Sequence, residues 1–563
     1  MSEKSDRAGV RGQLTPAGVA IGCVGCVIIT ASSVYTALKM GALPWPTIFT
    51  SITALVLLRA LGHSSLNEAN VTQIVMSAGS MVAGGIAFTI PGIWILGLAH
   101  EVSWQEMLAV ALAGTLLGLV CTALIRKRFV DDSDLEYPIG TAAAETLLAS
   151  GAGAGTRARL FGSMGFAGLW TVARDVLHWI PATILQLPIP GVAFGFQLSP
   201  MRLATGFLVG GRSIAWWTAG AVLAAFGITV GGTAAGLWDL ASCDGIVKSL
   251  GMGLMMGSGF GVVVRDIVAP AVRRAASRRA AAGAAAGVDG DAGARASRWT
   301  DLSRADAGLL ALMAAAAALL ACIALGLGPV VSVAIVALSF VTAIMSAQSV
   351  GQSGIDPMEI FGLIVLLFVA AFSDATQVQL FYVAGVVAVA CGLAGDVMSD
   401  FKTGQIIGTS PRSMWLGQAL GALLGTVVSV AVMAVLVGAY GQDAFGGDGA
   451  FVAAQAEVVA TMVSGIPSLP AFVTGLVGGV LLHCLGFPAM MLGLGVYLPF
   501  YMSISAAVGA LVRKALDLVV ARRRLDAEKA DEAGVVIASG VLGGESIVGV
   551  LVAFASVVAG LGG

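Results

Sequence analysis

Long apolar runs separated by short polar or basic stretches dominate the order of residues in this chain. Three runs, 213–238, 307–345 and 413–442, contain no Asp, Glu, Lys or Arg at all. A helix needs about 20 mostly apolar residues to cross a bilayer core of about 30 Å. The pattern therefore predicts an all-α, polytopic integral membrane helical bundle.

Apolar runs of spanning length divide into two series. The first series lies near 16–38, 43–62, 69–98, 104–125, 157–181, 192–211, 213–234 and 247–270. The second lies near 305–326, 329–347, 358–375, 377–395, 413–438, 467–485, 487–512 and 534–561. We expect about 14 to 16 transmembrane helices, because some of the shorter segments are expected to be re-entrant.

Basic clusters between the runs indicate the domain boundaries and the orientation, since Lys and Arg concentrate in cytoplasmic loops. An Arg-, Ala- and Gly-rich stretch separates the two series, and we expect it to be a cytoplasmic linker. An even number of spans before this linker implies two parallel halves. The predicted segments are a cytoplasmic N-terminal arm at 1–15, an N-terminal transmembrane repeat at 16–270, the linker at 271–300, a C-terminal transmembrane repeat at 301–512, a charged loop at 513–533 and a final transmembrane helix at 534–563.

Composition supports this picture and excludes other classes. Hydrophobic residues make up 58% of the chain and charged residues 11%, against roughly 45–50% and 25% in soluble domains. A net charge of −2 gives no reason to expect nucleic acid as a partner. Cys23 and Cys26 lie within an apolar run, and with only four histidines the chain offers too few ligands for a metal site.

Matches between the two halves indicate an internal duplication. A shift of 289 residues pairs Gly206 with Gly495 and Gly220 with Gly509, and it also pairs Thr53 with Thr342. The sequence AAAETLLASG from Ala142 resembles AQAEVVATMVSG from Ala454 at a wider shift. Internal repeats are typical of secondary transporters, whose substrate site lies where the repeats meet.

Polar residues near the start of the third apolar run form one candidate binding site. Asn70, Gln73, Ser77 and Ser80 recur at spacings of three and four, so a helix places them on one face. Such a face can line a polar cavity for amide or carboxylate groups, with Asn70, Gln73 and Ser77 as substrate-binding candidates. Hydrogen bonding between helices is the alternative explanation.

Two further stretches place carboxylates within apolar surroundings, where ionisable groups often mark transport pathways. Tyr137 precedes a segment of about 12 residues that carries Glu145, too short to span, so a re-entrant or interfacial helix is expected. Glu545 lies about eleven residues into the last run and follows two glycines. The alternative for Glu545 is a carboxylate held by a helix dipole or an arginine.

A fourth polar stretch, GDVMSDFKTGQIIGTSPRSMW, separates two apolar runs. It carries Asp396, Asp400, Lys402 and Arg412, and we expect these residues in a loop, with Pro411 opening the next span. The basic residues either bind substrate or merely follow the positive-inside rule. No G-x-x-x-x-G-K-[ST] loop or enzymatic motif accompanies these stretches, so we expect no ATP hydrolysis, no catalytic residue and no cofactor.

These four stretches together resemble the oligopeptide transporter family, as a bacterial-type member related to the yellow-stripe-like metal-chelate transporters. FKTGQIIGTSPR is similar to that family's D-x-K-T-G and G-[AT]-[ST]-P-R motifs, and NEANVTQIVMSAG, YPIGTAAAE and IASGVLGGESIVGV follow its other motifs in order. Ser80 and Ile139 stand where the bacterial pattern carries acids. The matching positions are Asn70, Gln73, Tyr137, Glu145, Lys402, Arg412 and Glu545.

The resemblance implies a transporter driven by the proton gradient that imports small peptides or peptide-like solutes. Glu145 and Glu545 are then the proton-coupling candidates, and Tyr137, Lys402 and Arg412 join the substrate-binding candidates. Import of metal complexes of amino-acid-derived chelators is the alternative, with a passive channel or membrane scaffold as a third. The expected partners are the lipid bilayer of the cytoplasmic membrane, the solute and protons, and a homodimer is left open.

Overall fold

A computed structural model describes most of the chain. The described residues are 12–41, 43, 47–63, 65–133, 135–149, 154–209, 211–262, 264–265, 304–353, 356–447, 449–524 and 526–561. The predicted linker at 271–300 and most of the predicted N-terminal arm at 1–15 lie outside these residues.

Helices account for nearly all regular structure in the described ranges. In chain order they are α1 Pro16–Met40, α2 Thr47–Ala60, α3 Leu66–Ala87, α4 Pro91–Ile95, α5 Trp104–Arg126, α6 Pro138–Ala149, α7 Ala154–Thr171, α8 Pro200–Val209, α9 Gly211–Val222, α10 Leu240–Val262, α11 Arg304–Leu319, α12 Pro329–Ser353, α13 Met358–Phe372, α14 Gln377–Ile407, α15 Pro411–Tyr440, α16 Ala454–Ser464, α17 Leu469–Cys484, α18 Ala489–Tyr497, α19 Phe500–Arg523 and α20 Ala527–Leu561. Wider π-helical turns extend α5, α7, α9 and α11 to Asp131, Val176, Gly232 and Ala324.

Nine helical segments in the described ranges are long and apolar enough to cross a membrane. They are Pro16–Lys39, Leu66–Ile95, Trp104–Asp131, Gly211–Gly232, Asp306–Ala324, Pro329–Gly351, Gln377–Ile407, Pro411–Tyr440 and Lys529–Gly549. Three shorter apolar helices accompany them, at Thr50–Ala60, Met358–Phe372 and Leu469–Cys484. The predicted class, an all-α polytopic membrane protein, is confirmed, while the number of crossings stays a prediction.

Local sequence explains where the first long helix begins. The Thr15 side chain accepts a hydrogen bond from the backbone N–H of Gly18 at 3.0 Å, and Pro16 occupies the first turn. A proline is tolerated there because the first N–H groups of a helix have no partner within it. Capping by Thr15 and the proline in the first turn therefore fix the start of α1.

Helices α3 and α14 form the centre of the bundle and run antiparallel to each other. Gln73 near the start of α3 contacts Asp400 near the end of α14, whereas Gly85 near the end of α3 packs on Val389. Their apolar windows are the most enclosed of the nine spanning segments. Helix α15 crosses α3 where Gly425 faces Gly79, and this close approach leaves no room for a side chain.

A β-hairpin replaces the span predicted at 192–211. Strand β1, Thr183–Ile189, pairs antiparallel with β2, Val192–Gln197, and only the short helix α8 follows. Pro188 and Pro190 cannot donate to a helical hydrogen-bond ladder, and Gly191 turns the chain at φ +74°. The apolar run was mistaken for a span because periodicity alone does not separate short strands from helices.

Two predicted loops are also wrong. Helix α14 continues past the predicted end at 395 to Ile407, so Asp396, Asp400 and Lys402 are helical. Most of the predicted charged loop at 513–533 is helical as well, since α19 ends at Arg523 and α20 begins at Ala527. In both places the helix extends beyond its apolar part because charged side chains can lie on a helix as readily as in a loop.

The predicted span at 487–512 contains a break. Helix α18 ends at Tyr497 and α19 begins at Phe500, with Pro499 immediately before it. Proline restricts the preceding residue to extended backbone and interrupts the hydrogen-bond ladder. This part of the bundle therefore consists of two shorter helices.

Close glycine contacts recur in these shorter helices with a constant spacing. A Cβ atom on Gly206 would lie 1.8 Å from the carbonyl oxygen of Ala506, and one on Gly495 would lie 1.9 Å from that of Trp217. Gly206 and Gly495 are 289 residues apart in the sequence. Their partners, Trp217 and Ala506, are separated by the same number. The contact of α8 with α19 thus has the same form as the contact of α18 with α9.

Candidate functional site

The polar face predicted on α3 is buried between α3 and α14. Gln73 Nε2 donates to Asp400 Oδ1 at 2.8 Å, and Ser77 Oγ donates to Asp400 Oδ2 at 2.8 Å. A third bond joins Gln73 Nε2 to Ser77 Oγ at 3.2 Å. Ser80 faces its own helix and donates to the carbonyl of Ser77 at 2.6 Å. The structure therefore brings Gln73 and Ser77 together around one carboxylate of the opposite helix.

Asn70 joins this site to the turn between α14 and α15. Its Nδ2 donates to Thr409 Oγ1 at 3.3 Å, and Thr409 donates in turn to Asn67 Oδ1 at 3.0 Å. Gly408 closes α14 at φ +88°, a left-handed conformation that glycine adopts without strain. The G-T-S-P turn thus packs against the start of α3.

Unused hydrogen-bond acceptors concentrate beside these contacts. Asn70 and Gln73 are fully buried, yet Asn70 Oδ1 and Gln73 Oε1 accept no hydrogen bond from any described residue. Buried polar atoms are normally paired, and leaving one unpaired costs about 1–3 kcal/mol. Two such acceptors, close to a carboxylate, indicate a place for an external donor. We refer to Asn70, Gln73, Ser77 and Asp400 as the acceptor site.

Three more buried carboxylates extend the acceptor site along α14. Asp396 lies one turn before Asp400, and Asp356 and Glu359 come from the start of α13, close enough to act on Asp396 electrostatically. A Cβ atom on Gly395 would lie 2.7 Å from Asp356 Oδ2, so α14 packs tightly on this carboxylate. No Lys or Arg among the described residues forms an ion pair with any of the four acids.

The second predicted carboxylate region, around Glu545, is built differently. Glu545 is 1% exposed and pairs with Arg174 on the π-helical extension of α7, with Nη2 to Oε1 at 2.9 Å. It also accepts hydrogen bonds from Ser199 Oγ at 2.9 Å and from the N–H of Met201 at 2.8 Å, at the start of α8. Arg174 holds a second carboxylate, Asp175, through Nε at 2.6 Å. Glu545 therefore has the arginine and helix-dipole partners that the sequence offered as its alternative.

Tyr137, Lys402 and Arg412 lie outside both regions. Tyr137 is buried against α12, where its N–H donates to the carbonyl of Gly351 at 2.9 Å and its hydroxyl to that of Ala347 at 3.2 Å. Lys402 is half-buried and Arg412 is exposed at the start of α15. Glu145 falls within α6 as predicted, but its side chain lies outside the described residues.

Sequence reasoning missed the carboxylate at the centre of the acceptor site and the cations around Glu545. Asp396 and Asp400 are four residues apart, which is helical spacing, and they follow an apolar run without a turn residue between. Arg174 and Asp175 stand inside a predicted span, which by itself marks them as candidates. Arg202 lies inside the predicted span at 192–211 and carries the same signal. Asp356 lies between two predicted spans and carries none, because its burial depends on which helices pack together.

A comparison with protein-family models matches nearly the whole chain. The family described as OPT oligopeptide transporter protein matches residues 13–556. The match includes every element from α1 to most of α20 and both polar regions.

Individual proteins similar to this chain agree with that match. A protein of Haemophilus influenzae named "Putative oligopeptide transporter" is 24% identical over 92% of this chain and 92% of its own length. Metal-nicotianamine transporter YSL3 of Arabidopsis thaliana is 34% identical over 23% of this chain and 21% of its own length. Metal-nicotianamine transporter YSL2 of the same plant is 52% identical over 8% of each chain.

Proposed function

The chain belongs to the family of OPT oligopeptide transporter proteins, and from that premise we propose a secondary active transporter that imports small peptides or peptide-like solutes together with protons. As a membrane transporter it is not an enzyme. We place it in the cytoplasmic membrane, with the basic N-terminal arm in the cytoplasm.

The acceptor site carries this proposal. A peptide offers amide N–H groups as donors for Asn70 Oδ1 and Gln73 Oε1, and its ammonium group is the cation that Asp400 lacks among the described residues. Charge-assisted bonds from an ammonium to a carboxylate are about twice as strong as neutral ones. The site lies between the two central helices, where substrate sites of repeat-based transporters are found.

Proton coupling is assigned to the acids of the acceptor site. Several carboxylates crowded in a membrane interior cannot all be ionised without a compensating cation, so at least one binds a proton or a cation. Among the described residues, the charged groups that act most strongly on Asp396 are the carboxylates of Asp356, Asp400 and Glu359, whereas Glu545 is paired with Arg174. We therefore place the coupling proton near Asp396 and Asp400 in preference to Glu545. Glu145 stays a sequence-based candidate.

Proteoliposome transport tests this assignment. We expect concentrative uptake of labelled trialanine when the lumen is alkaline, with saturation and counterflow that a passive channel lacks. Asp396→Asn should abolish the dependence on the pH gradient while counterflow continues, because exchange requires no net proton movement. Asp443→Asn, at an exposed position, is the matched control. Gradient-driven uptake by Asp396→Asn at the wild-type rate would contradict the assignment.

Metal-chelate import is the second candidate. It is supported by the relatives named metal-nicotianamine transporters, which match short stretches of this chain. Among the described residues, no group of three or more His, Cys, Asp and Glu is placed to hold a metal ion. A preformed complex brings its own metal ligands, so this candidate needs no such group. Uptake of radiolabelled iron presented as a chelate, but not as the free ion, would select it.

We also propose that the two halves arose by duplication, with inverted orientation. The order of elements pairs α1–α3 with α12–α14, α5–α7 with α15–α17 and α8–α10 with α18–α20. The equal glycine contacts at a spacing of 289 support the last of these pairings. Because α3 and α14 are antiparallel, equivalent helices have opposite directions, in contrast to the parallel halves that the span count predicts. Thr53 and Thr342 lie on α2 and α12, which are not equivalent in this order.

A further inference from the structure

The region around Arg202 contains more cations than carboxylates. Arg174, Arg202 and Lys39 contribute three positive charges, against the two carboxylates of Asp175 and Glu545, which both lie within electrostatic range of Lys39. Arg174 is paired with both carboxylates. Arg202 and Lys39 form no ion pair with a carboxylate of the described residues.

Arg202 has an unused donor in a fully enclosed place. Its side chain is 2% exposed, Nη2 donates to the carbonyl of Lys39 at 3.1 Å, and Nη1 has no hydrogen-bond partner among the described residues. A buried guanidinium without a carboxylate is costly in a membrane protein, because neither water nor lipid satisfies its N–H groups. The position is therefore suited to an anion that is supplied from outside the chain.

Lys39 and Tyr35 lie beside this position. Lys39 lies at the end of α1, with Nζ 5.2 Å from the centroid of the Tyr35 ring. The C-terminal end of α1 is tied down by two contacts: Ala453 N–H donates to the carbonyl of Leu38 at 2.9 Å, and Gln455 Nε2 donates to that of Gly41 at 3.0 Å. The backbone at the end of α1, which carries Lys39, is thus fixed by hydrogen bonds. Arg202 is bonded to this same backbone.

We propose that Arg202 and Lys39 form a binding site for the carboxylate group of the transported solute. Arginine binds carboxylates in a planar, two-pronged geometry, and a lysine nearby adds a second charge without demanding a fixed orientation. One carboxylate would balance the surplus charge and give Nη1 its missing partner. This inference rests on the proposed function, since it assumes a peptide-like solute.

The carboxylate site and the acceptor site lie at different levels along α1. Gly18 and Gly25 of α1 face Thr72 and Met76 beside the acceptor site, whereas Lys39 lies at the end of the helix. At about 1.5 Å per residue the separation from Gly25 to Lys39 is roughly 20 Å, too far for one small peptide to contact both sites at once. With the N-terminus in the cytoplasm, the carboxylate site faces the outer side. It therefore receives the solute before the acceptor site does.

Binding of trialanine and of its C-terminal amide to the purified full-length protein tests the site. The wild type should bind the amide at least tenfold more weakly than the free acid. In Arg202→Gln this ratio should fall towards one, because the lost contact is the one that amidation removes. Lys39→Gln should lower the ratio as well, and it serves as the second variant should Arg202→Gln fold poorly. Arg212→Gln, at an exposed arginine, should keep the wild-type ratio.

Each outcome separates this inference from the proposed function. Equal affinity of the wild type for acid and amide would overturn the carboxylate site and leave peptide transport standing. A wild-type ratio that persists in both Arg202→Gln and Lys39→Gln would also overturn it. Absence of binding for either compound would contradict the peptide substrate itself, and with it the site.

Discussion

The two buried polar regions of this transporter differ in the kind of partner that their polar groups lack. The acceptor site on α3 and α14 carries two amide oxygens without donors and a carboxylate without a cation, whereas Arg202 and Lys39 carry positive charges that form no ion pair with a described carboxylate. Both regions are enclosed by helices of the same bundle. A membrane interior gives neither kind of group a water molecule as partner, so each must be satisfied internally or by a ligand.

The difference shows why the carboxylates are not equivalent. Glu545 has an arginine, a hydroxyl and a backbone N–H around it, and its negative charge is compensated. Asp400 has only neutral donors among the described residues, the side chains of Gln73, Ser77 and Thr47. A carboxylate whose negative charge is balanced by a fixed cation is suited to a structural ion pair. A carboxylate whose charge is only partly balanced is suited to gain and lose protons or ligands.

The largest expected effect comes from removing Arg174, the cation that balances the negative charge of Glu545. Arg174→Gln should lower the free energy of unfolding by about 3–5 kcal/mol, because it leaves two carboxylates without their cation. The double variant Arg174→Gln with Glu545→Gln should recover part of this loss. Thermal unfolding in detergent measures both, and a single variant as stable as the wild type would remove the distinction drawn between the two regions.

A smaller effect is expected at the acceptor site. Gln73→Leu removes one donor to Asp400 and one unused acceptor, so trialanine uptake should fall about tenfold, or ~1.4 kcal/mol, with little change in thermal stability. Gln442→Leu, at an exposed turn, is the control. A large loss of stability without a specific loss of uptake would show that Gln73 serves helix packing, the alternative that the sequence left open.

The smallest effect is expected at Arg412. Its side chain is exposed at the start of α15, outside both polar regions, although the family motif made it a substrate-binding candidate. Arg412→Gln should change the affinity for trialanine less than twofold, because exposed charges contribute little. A tenfold loss would mean that a solute contacts the turn before α15, and the acceptor site would then extend to the cytoplasmic surface.

Much of the fold follows from the sequence, because apolar runs of about 20 residues have few alternatives in a membrane chain. The start of α15 at Pro411 was predicted from the proline and is confirmed. The β-hairpin at Thr183–Gln197 and the end of α14 were not predicted, since the local pattern of their residues fits two structures.

The polar face of α3 was predictable because its spacing is local. That Gln73 and Ser77 meet Asp400 was not, since more than 320 residues separate them along the chain. The surplus charge around Arg202 also arises only when α1, α7, α8 and α20 come together. Periodicity shows which face of a helix is polar, and only packing shows what that face meets.

The antiparallel pair of α3 and α14 has a directional consequence. The acids lie towards one end of the pair, at Asp396 and Asp400, while Gly85 and Val389 pack without charge towards the other. The charge is therefore distributed unevenly between the two ends of this helix pair. The inward- and outward-open forms of such a carrier need not be equally populated at zero gradient, and we expect the half-saturation concentration measured from one side of the membrane to differ from that measured from the other.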